Sequence, residues 1–154
     1  MKKFVDLVFY LITPVLFGFL GSYFTTSAIP IWYVSLNKPF FSPPNWLFAP
    51  VWTILYLMMG YASYIISQSK SKMKPVALKF YWLQLLANFF WSIIFFGMKN
   101  PTLALLEIIV LWILIYKTKI LFLKVSKTAG YLLIPYLLWV SFASVLNLSI
   151  VFLN

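Results

Sequence analysis

The sequence predicts an all-α integral membrane protein, a single bundle of five transmembrane helices. Of its 154 residues, 64% are hydrophobic and 9% are charged, and the mean hydropathy is +0.96. Soluble domains are about 45–50% apolar and about 25% charged, so this composition indicates a membrane environment. Five apolar runs alternate with lysine- or proline-rich linkers. Each run is near the roughly 20 residues that a helix needs to cross a bilayer.

The expected helices belong to one domain, residues 1–154. Their bounds are 4–24, 46–67, 76–98, 102–121 and 130–152. The first run follows Lys2 and Lys3 as in a signal peptide. It is longer than the apolar region of a typical signal peptide, which indicates a retained helix.

The lysines predict the orientation in the membrane. Five spans place the termini on opposite sides, and ten of the twelve lysines then share the side of the N-terminus. The other side holds only Lys38 and Lys99. By the positive-inside rule, we expect the N-terminus in the cytoplasm, with the first loop and the C-terminus outside. The lysine-rich, arginine-free composition favours a low-GC bacterium and its plasma membrane.

Residue types that the chain lacks exclude several kinds of chemistry. There is no cysteine, histidine or arginine, and the only carboxylates are Asp6 and Glu107. We therefore expect no metal site, no required cofactor and no acid–base pair. The net charge of +10 does not indicate nucleic-acid binding, because the lysines lie between apolar runs. Glu107 falls at membrane depth, where an ionisable group is either functional or held by a structural hydrogen bond.

Three expected helices carry an aromatic stripe on one face, at helical spacing. The stripes are Trp52, Tyr56 and Met59; Gln84, Asn88, Trp91 and Phe95; and Tyr136, Trp139, Ala143, Leu146 and Asn147. Helix packing alone also explains any one stripe. The amides of Gln84, Asn88 and Asn147 are costly in lipid, however, and should face the bundle interior. Together the three faces predict a pocket for a flat, mostly apolar ligand.

The linker between the first two helices is expected to be stiff, because proline fixes the backbone. It contains Pro39, Pro43 and Pro44. A stiff aromatic linker beside a membrane is typical of a lid or a pocket wall. Trp32 indicates a loop packed back on the bundle, whereas an aromatic belt at the membrane surface explains Trp46 equally well. Lys38 is expected to be a solvated loop charge.

Four groups of motifs follow one another along nearly the whole chain. They are Trp32-Tyr33, Lys38-Pro39 and Pro43-Pro44; Pro50-Val51-Trp52-Thr53 and Leu55-Tyr56; Gln84, Asn88, Trp91-Ser92 and Phe95-Phe96-Gly97; and Pro135-Tyr136, Trp139, Phe142-Ala143 and Leu146-Asn147. In this order they resemble the TspO/MBR family. That family comprises the tryptophan-rich sensory proteins and the translocator proteins, or peripheral-type benzodiazepine receptors.

The resemblance implies a homodimeric five-helix bundle with a pocket beneath the first loop. The implied ligands are porphyrins and haem, isoquinoline-carboxamide or benzodiazepine-type drugs, and sterols, in contact with membrane lipid. The implied ligand-binding residues are Trp32, Trp52, Tyr56, Asn88, Trp91, Trp139, Ala143 and Leu146. Light- or oxidant-dependent porphyrin breakdown would depend on Trp52 and Trp139 as candidate catalytic residues, since an indole beside an excited porphyrin can be oxidised.

Two departures from the family pattern change these expectations. The sterol-recognition pattern of the last helix is missing after Asn147, so sterol specificity is not predicted. A position in the fourth helix that is often tryptophan in the family is Leu103 here, which should change one pocket wall.

Three functional hypotheses remain open on the sequence. The first is a membrane receptor or sensor for porphyrins, with or without their degradation. The second is a transporter of porphyrin, sterol or other lipid-like cargo. The third is a structural or regulatory partner protein that binds no tetrapyrrole.

Overall fold

The computed structural model describes residues 2–154, which are almost entirely helical. The helices are α1 (Lys2–Ala28), α2 (Phe48–Ser67), α3 (Lys74–Ser92), α4 (Pro101–Val125), α5 (Lys127–Leu132) and α6 (Ile134–Leu153). Short turns extend three of them: a π-helical turn after α1 (Ile29–Tyr33), a 3-10 turn before α2 (Asn45–Leu47) and a π-helical turn after α3 (Ile93–Gly97).

Four helical segments are long and apolar enough to cross a membrane. They are Lys3–Tyr33, Asn45–Ser67, Lys74–Gly97 and Lys127–Leu153. The last combines α5 and α6. With the 25 residues of α4, the described part of the chain has five long helical segments. A helical membrane bundle is therefore confirmed as the fold class, and a membrane crossing by α4 stays a prediction.

The first helix is longer than its predicted bounds of 4–24. Hydroxyl groups of the expected linker bond back to the helix instead of interrupting it. Thr26 Oγ1 donates to the Ser22 carbonyl (2.8 Å), and Ser27 Oγ donates to the Tyr23 carbonyl (3.1 Å). Pro30 lies at the start of the π-helical turn, where a missing N–H is tolerated. Much of the expected linker is thus helical.

The predicted fourth and fifth helices, 102–121 and 130–152, are also longer than expected. Asn100 caps α4, because its side chain accepts a hydrogen bond from the Leu103 N–H (3.0 Å). Ser126 ends α4 and caps α5 in the same way, accepting from the Ala129 N–H (3.4 Å). Lys124 in the last turn of α4 favours the helix terminus electrostatically.

The long first helix packs against two different neighbours along its length. Gly60 of α2 lies so close to α1 that an added Cβ would come within 2.5 Å of the Tyr10 carbonyl oxygen. Further along, α1 contacts the π-helical turn after α3, since an added Cβ at Gly97 would come within 2.9 Å of the Phe24 ring. We call the end of the bundle that holds the 68–73 loop the closed half. The end that holds the 34–44 loop is the cavity half.

Candidate functional site

A cavity of about 490 Å³ occupies the cavity half of the bundle. Its walls come from α1, α2, α3 and α6. Aromatic rings form three of the walls: Phe48, Trp52 and Tyr56 from α2; Trp91 and Phe95 from the third helical segment; and Trp139 from α6. Pockets for drug-sized ligands span about 300–1,000 Å³ and are mostly apolar, so both the size and the lining fit a small-molecule site.

The inner end of the cavity rests on a buried hydrogen-bonded trio. The Tyr56 hydroxyl donates to Asn88 Oδ1 (2.8 Å), and Asn88 Nδ2 donates to the Tyr136 hydroxyl (3.1 Å). These side chains are 9%, 3% and 1% exposed. Because a buried amide in an apolar bundle needs partners, the trio ties α2, α3 and α6 together directly below the cavity.

A second amide orients an indole of the wall. Trp91 Nε1 donates to Asn147 Oδ1 (3.4 Å), and Asn147 Nδ2 donates to the Pro101 carbonyl (2.8 Å). The amide therefore links α3, the start of α4 and α6. Trp91 also stacks on Phe95 with ring centroids 5.0 Å apart, which fixes the plane of the indole against that wall.

Most of the residues predicted for the ligand site meet at this cavity. The wall contains Trp52, Tyr56, Trp91, Trp139, Ala143 and Leu146. The two candidate catalytic indoles, Trp52 and Trp139, are both among them. Trp52 stacks on Tyr56 at 5.5 Å, and Trp139 meets Phe48 edge-on at 6.1 Å.

Trp32 and Asn88 are not on the cavity wall. Asn88 lies one layer below, where it holds Tyr56 in place. Trp32 packs edge-on against Phe95 at 5.5 Å and so supports the wall from behind. Trp32 lies behind the wall because the π-helical turn brings the next residue, Tyr33, to the cavity and buries it.

Leu103 also lies away from the cavity. It is 40% exposed, and the cavity wall contains no residue of α4. The expectation that Leu103 changes a pocket wall is therefore wrong. Glu107, also on α4, is outside the wall too. Its Oε2 atom is buried without a hydrogen-bond partner among the described residues.

The wall contributed by α1 was missed at the sequence level. It includes Gly18, Ser22 and Thr25 of α1, and it continues into the π-helical turn with Ile29. A Cβ at Gly18 would overlap the ring of Tyr56, so glycine is what allows α1 to approach the cavity's inner end. The small and hydroxyl residues of this apolar helix were the available signal.

The proline-containing loop is anchored more firmly than a solvated linker. The Lys38 ammonium donates to the Tyr33 carbonyl (2.9 Å) and the Leu36 carbonyl (3.0 Å), and it lies 4.9 Å from the centre of the Tyr33 ring. The expectation of a solvated charge at Lys38 is therefore wrong. Asn37 is clasped by Asn154, the residue after α6. Asn154 Oδ1 accepts from the Asn37 N–H (2.9 Å), and Asn154 Nδ2 donates to the Asn37 carbonyl (3.0 Å).

The sequence predicts that the first loop covers the pocket, but only the two ends of the predicted linker reach the cavity. Residues 36–44 are absent from the cavity wall. The parts of the predicted linker that do reach the cavity are its helical beginning, including Ile29 and Tyr33, and its last residue, Asn45.

The fold and cavity together define a helical membrane protein with an internal aromatic cavity. The model of the TspO/MBR family matches residues 10–153. The tryptophan-rich protein TspO of Chlorobaculum tepidum is 47% identical over 139 residues, which is 89% of this chain and 88% of the relative. TspO of Archaeoglobus fulgidus is 45% identical over 141 residues (89% of each chain). The bovine translocator protein is 39% identical over 146 residues (93% and 86%). The chain belongs to the TspO/MBR family, as its motifs predicted.

Proposed function

We propose that the cavity binds porphyrins, haem and related flat, mostly apolar molecules, and that the protein acts as a membrane receptor or sensor for them. The observation that carries the proposal is the convergence of three indoles, those of Trp52, Trp91 and Trp139, on one cavity. Large aromatic faces suit a planar macrocycle. The hydroxyl and amide groups of Thr25, Asn147 and other wall residues supply the few polar contacts that orient such a ligand.

The shape of the cavity favours binding over transport. Its wall ends at Val15 of α1 and Tyr56 of α2, beneath which the Tyr56–Asn88–Tyr136 trio and the α1–α2 contact at Gly60 close the bundle. A transporter needs access from both membrane faces, so transport would require these buried contacts to open. The mammalian relatives are named translocator proteins, which keeps transport as the second candidate. Cargo that crosses sealed proteoliposomes would support it.

A light-dependent reaction is part of the proposal. An illuminated porphyrin transfers its excitation to dioxygen, and the oxygen species formed attack either the macrocycle or an adjacent indole. Trp52 and Trp139 are the wall residues that we assign to this step, because both indoles face the same space. The reaction needs no acid–base pair.

We also propose a homodimer in a bacterial plasma membrane, with the N-terminus in the cytoplasm.

A porphyrin titration followed by illumination tests this function. We expect protoporphyrin IX to quench the tryptophan fluorescence of the protein in lipid nanodiscs saturably, and light to bleach the bound pigment. Trp139→Phe should weaken the binding and slow the bleaching. Trp46→Phe is the matched control, because Trp46 is 71% exposed and outside the cavity. Equal binding and equal bleaching in both variants would contradict the assignment of Trp139 to the porphyrin site.

A further inference from the structure

The exposed residues of the cavity wall belong to α1, to α2 and to the short turn that precedes α2. The exposed wall residues are Phe19 and Thr26 of α1, Asn45, and Ala49 and Thr53 of α2. Every wall residue contributed by the third helical segment and by α6 is at least partly buried. The cavity therefore opens to the surroundings between α1 and α2.

The packing of α1 explains why an opening exists there. In the closed half, α1 touches α2 through Pro14 and Gly60, and about one turn further along α1, Gly18 meets the ring of Tyr56. Beyond this point α1 approaches the third helical segment, where Gly21 faces Ser92 of α3 and Phe24 faces Gly97 of the turn that follows. The two helices consequently separate, and the cavity fills the space between them.

The edges of this opening face each other in a regular register. The contacts of Pro14 with Gly60 and of Gly18 with Tyr56 define an antiparallel pairing of α1 and α2. One and two helical turns further, that pairing places residue 22 opposite residue 52, and Thr26 opposite residue 48, next to Ala49. All these positions lie within the apolar spans Lys3–Tyr33 and Asn45–Ser67. The opening, which we call the α1–α2 slot, therefore faces the membrane interior.

The hydroxyl groups along the slot are already paired. Ser22 Oγ donates to the Phe19 carbonyl (2.7 Å), and Thr26 Oγ1 donates to the Ser22 carbonyl (2.8 Å). On the other edge, Thr53 Oγ1 donates to the Ala49 carbonyl (2.8 Å). Because these hydroxyls bond within their own helices, an apolar molecule can pass without leaving a polar group unpaired.

The loop offers a less suitable route. Its backbone is tied to the end of α6 by the Asn37–Asn154 clasp and to the end of the first helical segment by Lys38. Opening the cavity at that end would break several hydrogen bonds, whereas the slot is already open. We propose that the cavity exchanges its ligand laterally with the hydrocarbon of the bilayer, through the α1–α2 slot. This proposal rests on the proposed function, since it concerns how a ligand enters and leaves the cavity.

Reversible cross-linking across each route tests the proposal, and the absence of native cysteine makes it clean. Thr26→Cys and Ala49→Cys would be bridged by a short bis-methanethiosulfonate linker after reconstitution in nanodiscs, so that folding precedes the modification. Each thiol forms a reducible disulfide with the linker and displaces methanesulfinate. The matched control bridges Asn37→Cys with Asn154→Cys, which ties the loop to α6 without touching the slot. Stopped-flow tryptophan quenching by protoporphyrin IX gives the association and dissociation rates.

We expect the slot bridge to slow both rates by about tenfold or more, as restricting a gate does, and reduction of the linker to restore them. The loop bridge should leave both rates within about twofold of the unbridged protein. Rates that fall only with the loop bridge, or with neither bridge, would overturn the lateral route. A protein that binds no porphyrin even without a bridge would instead contradict the proposed function.

Discussion

The two halves of the bundle use the same helices in opposite ways. In the closed half, side chains of α2 and α3 such as Met59, Ala62 and Tyr81 are completely buried. In the cavity half, Trp52 and Trp91 are only partly buried and face a common space of about 490 Å³. The comparison shows that α1 and α2 can pack closely at one end, through a glycine contact, and be held apart at the other end by large aromatic side chains.

The largest effect should come from filling the glycine contact of the closed half. In Gly60→Ala, the new Cβ meets the backbone of α1, 2.5 Å from the Tyr10 carbonyl oxygen and 3.1 Å from Leu11 Cα. Backbone cannot move aside locally, so we expect a loss of about 1–3 kcal/mol in the free energy of unfolding, typical of overpacking. Thermal unfolding in detergent measures it. An unchanged midpoint would show that α1 and α2 do not pack more tightly in the closed half than in the cavity half.

The same substitution in the cavity half should affect binding more than stability. In Gly18→Ala, the new Cβ meets the ring of Tyr56 rather than backbone, so the ring must shift towards the cavity while its hydroxyl stays near Asn88. We expect porphyrin affinity to fall about tenfold, equivalent to about 1.4 kcal/mol, with a smaller loss of unfolding midpoint than in Gly60→Ala. Should Gly18→Ala prove the less stable of the two, the contrast between the halves would be reversed.

Two amides on α3 sharpen the comparison further. Asn88→Leu strands the hydroxyls of Tyr56 and Tyr136, so we expect a loss of about 1–3 kcal/mol in stability. Gln84, one turn away in the closed half, is 1% exposed, and its Oε1 and Nε2 have no hydrogen-bond partner among the described residues. Gln84→Met should therefore be neutral or stabilising. Equal losses in both variants, measured by the same thermal assay, would contradict this difference.

Periodicity and composition were enough to predict the fold class and three of the four cavity walls. Indoles at helical spacing and amides that avoid lipid placed Trp52, Trp91 and Trp139 on inward faces, where the structure has them. These signals work because spacing along a helix fixes which residues share a face.

The remaining features depend on events that spacing does not encode. A π-helical turn adds a residue to the helix locally, and the turn Ile29–Tyr33 brings Tyr33 rather than Trp32 to the cavity. The α1 wall depends on glycine contacts made with partners far along the chain, such as Gly18 with Tyr56. The anchoring of Lys38 depends on carbonyls exposed where the first helical segment ends, and those bounds were misjudged from the sequence.

The central claim is that the aromatic cavity is the ligand site, and filling it tests that claim most directly. Ala143 lies on the cavity wall, whereas Val145, on the same helix, is 53% exposed on the outer surface. Protoporphyrin IX would be titrated against the parent protein, Ala143→Trp and Val145→Trp in nanodiscs. We predict saturable binding to the parent and to Val145→Trp, and loss of binding in Ala143→Trp. Equal affinity in all three proteins would contradict the assignment of the cavity.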